Sequence, residues 1–195
     1  MKIRVFEDFI LGMRRCAEAL PDRRTGSNTS YSMPEILLSA FSVFFTQSPS
    51  FLAYQRSMEE SKGRNNARSL FDVERIPTDN HIRKMLDPVE PEQLFELFDA
   101  LYLTCSEQGV LKSMRAFEGT QLIALDGTRY FSSQSEHIHC PHCSTTKHKN
   151  GTTTHYHAAI TPVIVSPLHS QVIALRPEFI VPQDGHDKQD CETAA

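Results

Sequence analysis

The texture of the chain changes after Gly119, and that change limits the fold more than any single motif. Up to residue 118, apolar residues recur at helical spacing behind capping signals; from 119 to 195 they fall in short β-branched runs bounded by turn residues. A chain whose helices precede its strands folds as α+β rather than as alternating βα units. The expectation is therefore a helical region over 1–118 and a β-containing region over 119–195.

Several helices can be placed from their starts. A first amphipathic helix is read near 2–20, followed by the polar connection Arg23-Arg24-Thr25-Gly26-Ser27-Asn28-Thr29-Ser30. Ser32-Met33-Pro34-Glu35 is a capping box with proline in the first turn, and the apolar run 36–45 behind it suits a buried helix. Ser48-Pro49 reads as another start, leading into Phe51, Leu52, Tyr54 and Met58. Thr78 caps a short helix in which Ile82, Met85 and Leu86 share one face while Asn80, Arg83 and Lys84 point elsewhere. Leu94, Leu97, Phe98, Leu101 and Cys105 mark a further amphipathic helix.

Three strands are expected beyond Gly119. The first, 121–125, ends at Asp126-Gly127-Thr128, with Tyr130 and Phe131 packing beneath its end. A polar excursion over 132–153 follows, then strands 154–166 and 171–181 joined by the turn at Ser166-Pro167-Leu168-His169-Ser170. The acids Asp184, Asp187, Asp190 and Glu192 fall in a turn and helix start, where capping and solvation account for them.

Charge is unevenly spread. The net value is −4, which argues against a simple basic nucleic-acid binder. Yet residues 62–84 hold six bases (Lys62, Arg64, Arg68, Arg75, Arg83, Lys84) against three acids, while 87–110 hold six acids and no Lys or Arg. The short helix offering Asn80, Arg83 and Lys84 could enter a DNA groove or grip phosphates, or be an ordinary solvated face. The longest apolar run is about half of a membrane span, no secretory signal opens the chain, and five cysteines with one close pair do not make a disulfide framework. The expectation is a soluble, cytoplasmic protein with reduced thiols and no membrane partner.

Two stretches carry chemistry. Asp126 follows a buried strand and precedes Gly-Thr, a rigid place for a carboxylate that suits a hard ion such as Mg²⁺, although Asp-Gly also makes simple turns. His137-Ile138-His139-Cys140-Pro141-His142-Cys143 packs three His and two Cys into seven positions. Cys140 and Cys143 form a Cys-x-x-Cys knuckle, and His155 and His157 alternate onto one face of the next strand, a set that can hold a structural Zn²⁺. His137, His139 and His142 compete as ligands, so the set stays open. So does the plainer reading of a hairpin whose His and Cys bind nothing. A thioredoxin-like dithiol needs its first Cys at a helix N-terminus, and the residues after Cys143 form no credible helix.

The order Leu125-Asp126-Gly127-Thr128-Arg129-Tyr130-Phe131, the later hairpin, and Pro182-Gln183-Asp184-Gly185-His186-Asp187-Lys188-Gln189-Asp190-Cys191-Glu192 resembles the DDE-type insertion-sequence transposases, whose catalytic core has an RNase H-like fold. The front end containing Ile76-Pro77-Thr78-Asp79-Asn80-His81-Ile82-Arg83 is similar to that family's N-terminal region. The resemblance implies the first three strands of a mixed sheet, Asp126 as the first catalytic acid, and Mg²⁺ as cofactor. Two ions held by three carboxylates cut the transposon end, and the freed 3′-hydroxyl attacks target DNA. The implied partners are DNA, both transposon ends and target, and an intact transposase as oligomer. Lys62, Arg64, Arg68, Arg83 and Lys84 are the expected DNA contacts.

The family's second Asp belongs on a fourth strand and its Glu in a Tyr-x-x-Arg-x-x-x-Glu pattern, and these 195 residues contain neither. The expectation is a truncated transposase core, with a Cys/His-rich insertion at 132–153, that does not cut DNA alone. Its rival is a non-catalytic, zinc-stabilised fragment binding DNA or protein; a third reading is a thiol oxidoreductase.

Overall fold

A computed structural model describes residues 2–26, 29–135 and 143–181, and their side chains except at 2–5, 58–59 and 61–65. The chain divides into two compact units, Met1–Leu101 and Tyr102–Ala195. The architecture is α+β with the helices N-terminal. The boundary between units falls inside a helix, and the change of texture at 118/119 lies within the second unit.

The first unit is built around α2 (Met33–Phe45), whose apolar residues leave no polar stripe: Met33, Ile36, Leu37, Leu38, Ala40 and Val43 are all buried. Such a helix is stable only when enclosed. The Ser32 capping box starts it. Ser32 Oγ accepts from the Glu35 N–H at 3.3 Å, and Glu35 Oε2 accepts from the Ser32 N–H at 2.7 Å. Around it pack α1 (Lys2–Ala19), α4 (Ser61–Phe71) and α5 (Asp79–Leu86). α1 contributes Ile10, Met13 and Ala17, α4 contributes Phe71, and α5 contributes Ile82 and Met85. Thr78 caps α5, accepting from the His81 N–H at 3.4 Å.

α3 (Phe51–Glu59) starts two residues later than expected. Ser50, not Ser48, is the cap, accepting from the Ala53 N–H at 3.1 Å. α4 ends at Asp72, which adopts the left-handed conformation (φ 52°), rare outside glycine but tolerated by Asp. Arg14 of α1 donates to the Asp72 carbonyl at 3.1 Å and to its carboxylate at 2.7 Å, tying that end to the first helix.

After α6 (Phe95–Glu107) and the single turn α7 (Val110–Ser113), the second unit is antiparallel β. Its strands are β1 (Leu122–Ala124), β2 (Gly127–Ser133), β3 (Ser144–Lys147), β4 (Thr153–Ile160), β5 (Val163–Ser166), β6 (His169–Ala174) and β7 (Glu178–Ile180). One sheet has the order β1-β5-β6; the other is β2-β4-β3, with β7 also on β4. Together they form a three-lane ribbon. β4 and β5 make the central lane, β1 and β2 lie along one edge, and β6 and β7 along the other. β3 shares β4's second edge with β7, pairing at 153–156 where β7 pairs at 158–160.

The central lane breaks at Thr161-Pro162, and the flanking lanes break at the same level, at Leu125-Asp126 and at 175–177. Thr161 N–H donates to the Asp126 carbonyl at 2.9 Å, and Leu175 N–H to the Pro162 carbonyl at 3.0 Å, so the three lanes stay bonded across the bend. The β5–β6 hairpin turns at Pro167-Leu168 where the turn signals place it, with Ser166 opposite His169. Under β5 and β6, Leu111 and Met114 pack against Ile164 and Ile173. Every described pairing is antiparallel.

Three expectations are corrected here. Asp126-Gly127 does not end the edge strand, because β2 continues it to Ser133. Tyr130 and Phe131 do not pack beneath a strand end; they stand on β2, 56% and 37% exposed. The 132–153 excursion is partly ordered as β3 and a turn around Asn150-Gly151, where Gly151 takes a φ of 85° that favours glycine.

The α2 core holds two buried hydroxyls with opposite fates. Ser42 Oγ donates to the Ser39 carbonyl at 2.7 Å and pairs with the Tyr54 hydroxyl; since its one proton is spent, Tyr54 is the donor. Ser39 Oγ is buried with no partner among the described residues. Tyr54→Phe is expected to cost about 1 kcal/mol in denaturant unfolding, whereas Ser39→Ala costs nothing or stabilises, because it removes an unmet desolvation cost.

Candidate functional site

Asp126 occupies the bend between β1 and β2. Its backbone is held from the central lane: the carbonyl accepts from Thr161 N–H at 2.9 Å and from Thr161 Oγ1 at 3.3 Å. Its neighbour Gly127 is in register with Ile160. The side chain is exposed and is not used in holding the bend. The arrangement is therefore a solvent-facing carboxylate on a backbone fixed by the ladder, able to accept a cation or a hydrogen-bond donor.

Whether the surroundings fit Mg²⁺ is a separate matter. No three His, Cys, Asp or Glu side chains among the described residues lie close enough together to hold one ion. Asp126 alone does not balance two divalent ions against their mutual repulsion. The described residues do not fit a two-metal centre, and no chemical step is derived through one. The acids at 184, 187, 190 and 192 lie outside the described residues.

Of the expected DNA contacts, Lys62 and Arg64 lie on α4 with side chains outside the described set. Arg68, also on α4, is exposed and sits 3.8 Å from Glu74, both side chains more than 70% exposed; a pair so solvated contributes little. Arg83 and Lys84 are exposed in the last turn of α5, where cations complement the helix dipole. The structure places Lys84 beside two residues that sequence reasoning left in a flexible connection, Arg23 and Arg24. The adjacent arginines were the only local signal; their meeting with Lys84 depends on α1 and α5 both packing on α2.

Cys143 directly precedes β3 and meets His157 of β4: Cys143 Sγ lies 3.2 Å from His157 Nε2. The register explains it, since Ser144 faces Tyr156 and the next pair outward is Cys143 with His157. Tyr130 stacks on the same imidazole with ring centres 5.9 Å apart, and Phe131 approaches it at 5.8 Å. His155 shares that face of β4 but forms no third member of a ligand set with Cys143 and His157. Cys140, His137, His139 and His142 lie outside the described residues.

The other described thiols are unreactive in character. Cys16 is buried and donates to the Gln93 carbonyl at 3.3 Å; burial first, then the hydrogen bond and charge of Glu96, push its pKa up to about 11. Burial also raises that of Cys105. The oxidoreductase reading loses its structural footing as well, because a strand, not a helix, follows Cys143.

If the Asp126 carboxylate has no structural duty, Asp126→Asn should unfold within about 0.5 kcal/mol of the unmodified chain by denaturant titration. A larger loss would assign the side chain a role in the bend. Comparison with known proteins finds no family model, no curated protein and no solved structure that matches this chain.

Proposed function

We propose that the chain is the N-terminal part of a DDE-type insertion-sequence transposase: a helical DNA-contacting region followed by the opening strands of an RNase H-like core. One observation carries this reading. An exposed carboxylate stands on the first lane of a three-lane antiparallel ribbon, after a helical unit with exposed cations on α4 and α5. That is the order in which the resembled core presents its first catalytic acid. Mg²⁺, when bound in a complete core, would supply Lewis-acid activation of water and phosphate oxygens. This chain contributes Asp126 to such a set, and since one carboxylate does not hold two divalent ions against their repulsion, these 195 residues are inactive alone. The chain belongs in the cytoplasm, with DNA and an intact transposase as partners. Among the described residues no helix is long and apolar enough to cross a membrane.

The chain alone should bind duplex DNA with an affinity that falls as salt rises, and should not nick it in Mg²⁺ or Mn²⁺. Nicking that Asp126→Ala abolishes would overturn the single-carboxylate reading. A salt-independent or absent DNA interaction would overturn the DNA-contacting one.

A second reading is favoured by the Cys143–His157 contact: a zinc-stabilised fragment that binds DNA or protein without catalysis. In a tetrahedral site with Zn–S about 2.3 Å and Zn–N about 2.0 Å, sulfur and nitrogen stand about 3.5 Å apart. A separation of 3.2 Å needs only a few tenths of an ångström of opening. Cys140 is the natural third ligand by its Cys-x-x-Cys spacing. Elemental analysis should find one zinc per chain, lost in Cys140→Ser/Cys143→Ser; metal-free protein purified without chelator removes this reading.

A further inference from the structure

We infer that a cleft in the first unit, between the α1–α2 connection and the last turn of α5, grips the phosphates of duplex DNA. It has a volume of about 340 Å³ and is lined by Pro21, Arg23, Arg24, Thr25, Lys84 and Pro88, among others. That is room for a phosphodiester and the sugars beside it. The inference rests on the DNA-contacting reading above, which already named Lys84, and adds to it Arg23, Arg24 and Thr25 of the α1–α2 connection.

The charge balance of the cleft is lopsided. Arg24 is fully engaged: its Nε and Nη2 fork onto Asp22 at 2.8 and 2.6 Å, and its Nη1 donates to the Tyr31 carbonyl at 2.6 Å. This fork holds Asp22 down at a pKa of about 2, so the acid stays charged and spent on Arg24. It also fixes the connection as one wall of the cleft. Arg23 and Lys84 enter no ion pair among the described residues. Both are exposed.

The plainer account is that these cations offset the C-terminal ends of α1 and α5. Each helix end carries about half a negative charge, together about one. Among the lining residues two unpaired cations exceed that; outside the lining, the exposed Asp87 at the end of α5 is offset by the exposed Arg83 one turn before it, so the cleft stays positive. Its lining includes no aromatic ring on which a base would stack. Recognition is of phosphate, with the Thr25 hydroxyl as a further donor.

The test is fluorescence anisotropy of the full chain on a labelled duplex across a salt series, comparing the unmodified protein with Arg23→Gln/Lys84→Gln. Each lost phosphate contact reduces the slope of log affinity against log salt by about one, so the double variant should lose about two, with affinity about tenfold or more weaker at low salt. Arg23→Lys/Lys84→Arg, which keeps both charges, should restore it, and both variants should melt with the unmodified chain. Unchanged affinity and slope in a double variant that remains folded, with the parent binding DNA, would overturn the cleft and leave the transposase reading standing. No DNA binding by the parent would sink both. A tripolyphosphate arm separates the sources of phosphate: binding of that ion, lost in the double variant while the DNA slope is unchanged, would overturn the assignment to DNA.

Discussion

Hydrogen bonding along one stretch, residues 153–166, is the constraint on which the second unit depends. Every described strand pairs with β4 or β5, and no pairing bypasses them. A central lane must satisfy donors and acceptors on both edges, and Pro162 supplies no N–H. The break at Thr161-Pro162 is therefore where the ribbon can bend without losing a ladder bond. Asp126 is held by Thr161, the residue before that proline: its carbonyl receives both the N–H and the hydroxyl of Thr161. The position of the exposed carboxylate is thus set by a residue 35 positions later in the chain.

The first unit rests on a comparable demand. α2 has no solvated face over most of its length, so α1, α4 and α5 are drawn onto it wherever their own apolar residues allow. The polar sides of those helices then fall outward, and Lys84 of α5 comes to lie opposite the α1–α2 connection. A basic cleft in a chain of net charge −4 is a product of that packing, not of composition.

What was legible in the sequence follows the same physics. α1, α2 and α5 announce themselves because burial imposes a 3.6-residue period and caps mark their starts; Ser32, Glu35 and Thr78 do what their spacing implies. The β5–β6 hairpin shows as apolar runs flanking Ser166-Pro167. α4 left no such trace: of its described side chains only Ala67 and Phe71 are buried, too few to set a period. β2 and β3 were hidden for the converse reason. β2 is exposed along nearly its whole length, so no alternation was selected into it, and its pairing comes from β4. Asp126 was legible as a carboxylate at a strand end, and Cys143 and His157 as members of one candidate ligand set; which of His155 and His157 meets Cys143 depends on register. Arg23 and Lys84, 61 positions apart, could not be joined without the fold.

The exposed edge lane bears on what the second unit is for. Among the described residues β1 and β2 are paired on one side only, and Ile123, Leu125 and Tyr130 are each more than half exposed along them. Isolated edges with apolar side chains invite further strand pairing, and soluble domains usually blunt them with charge, proline or a cover. Over 122–133 the lane carries only Asp126 and Arg129 as charges, and the Arg129 guanidinium lies 3.9 Å from the centre of the Tyr156 ring rather than standing free as a guard. Among the described residues the edge is thus open to a further strand. In the proposed core, the next strand would pair on this side and bring its carboxylate toward Asp126. The same ladder that fixes the first acid would then fix the second, with no change in the lanes already formed.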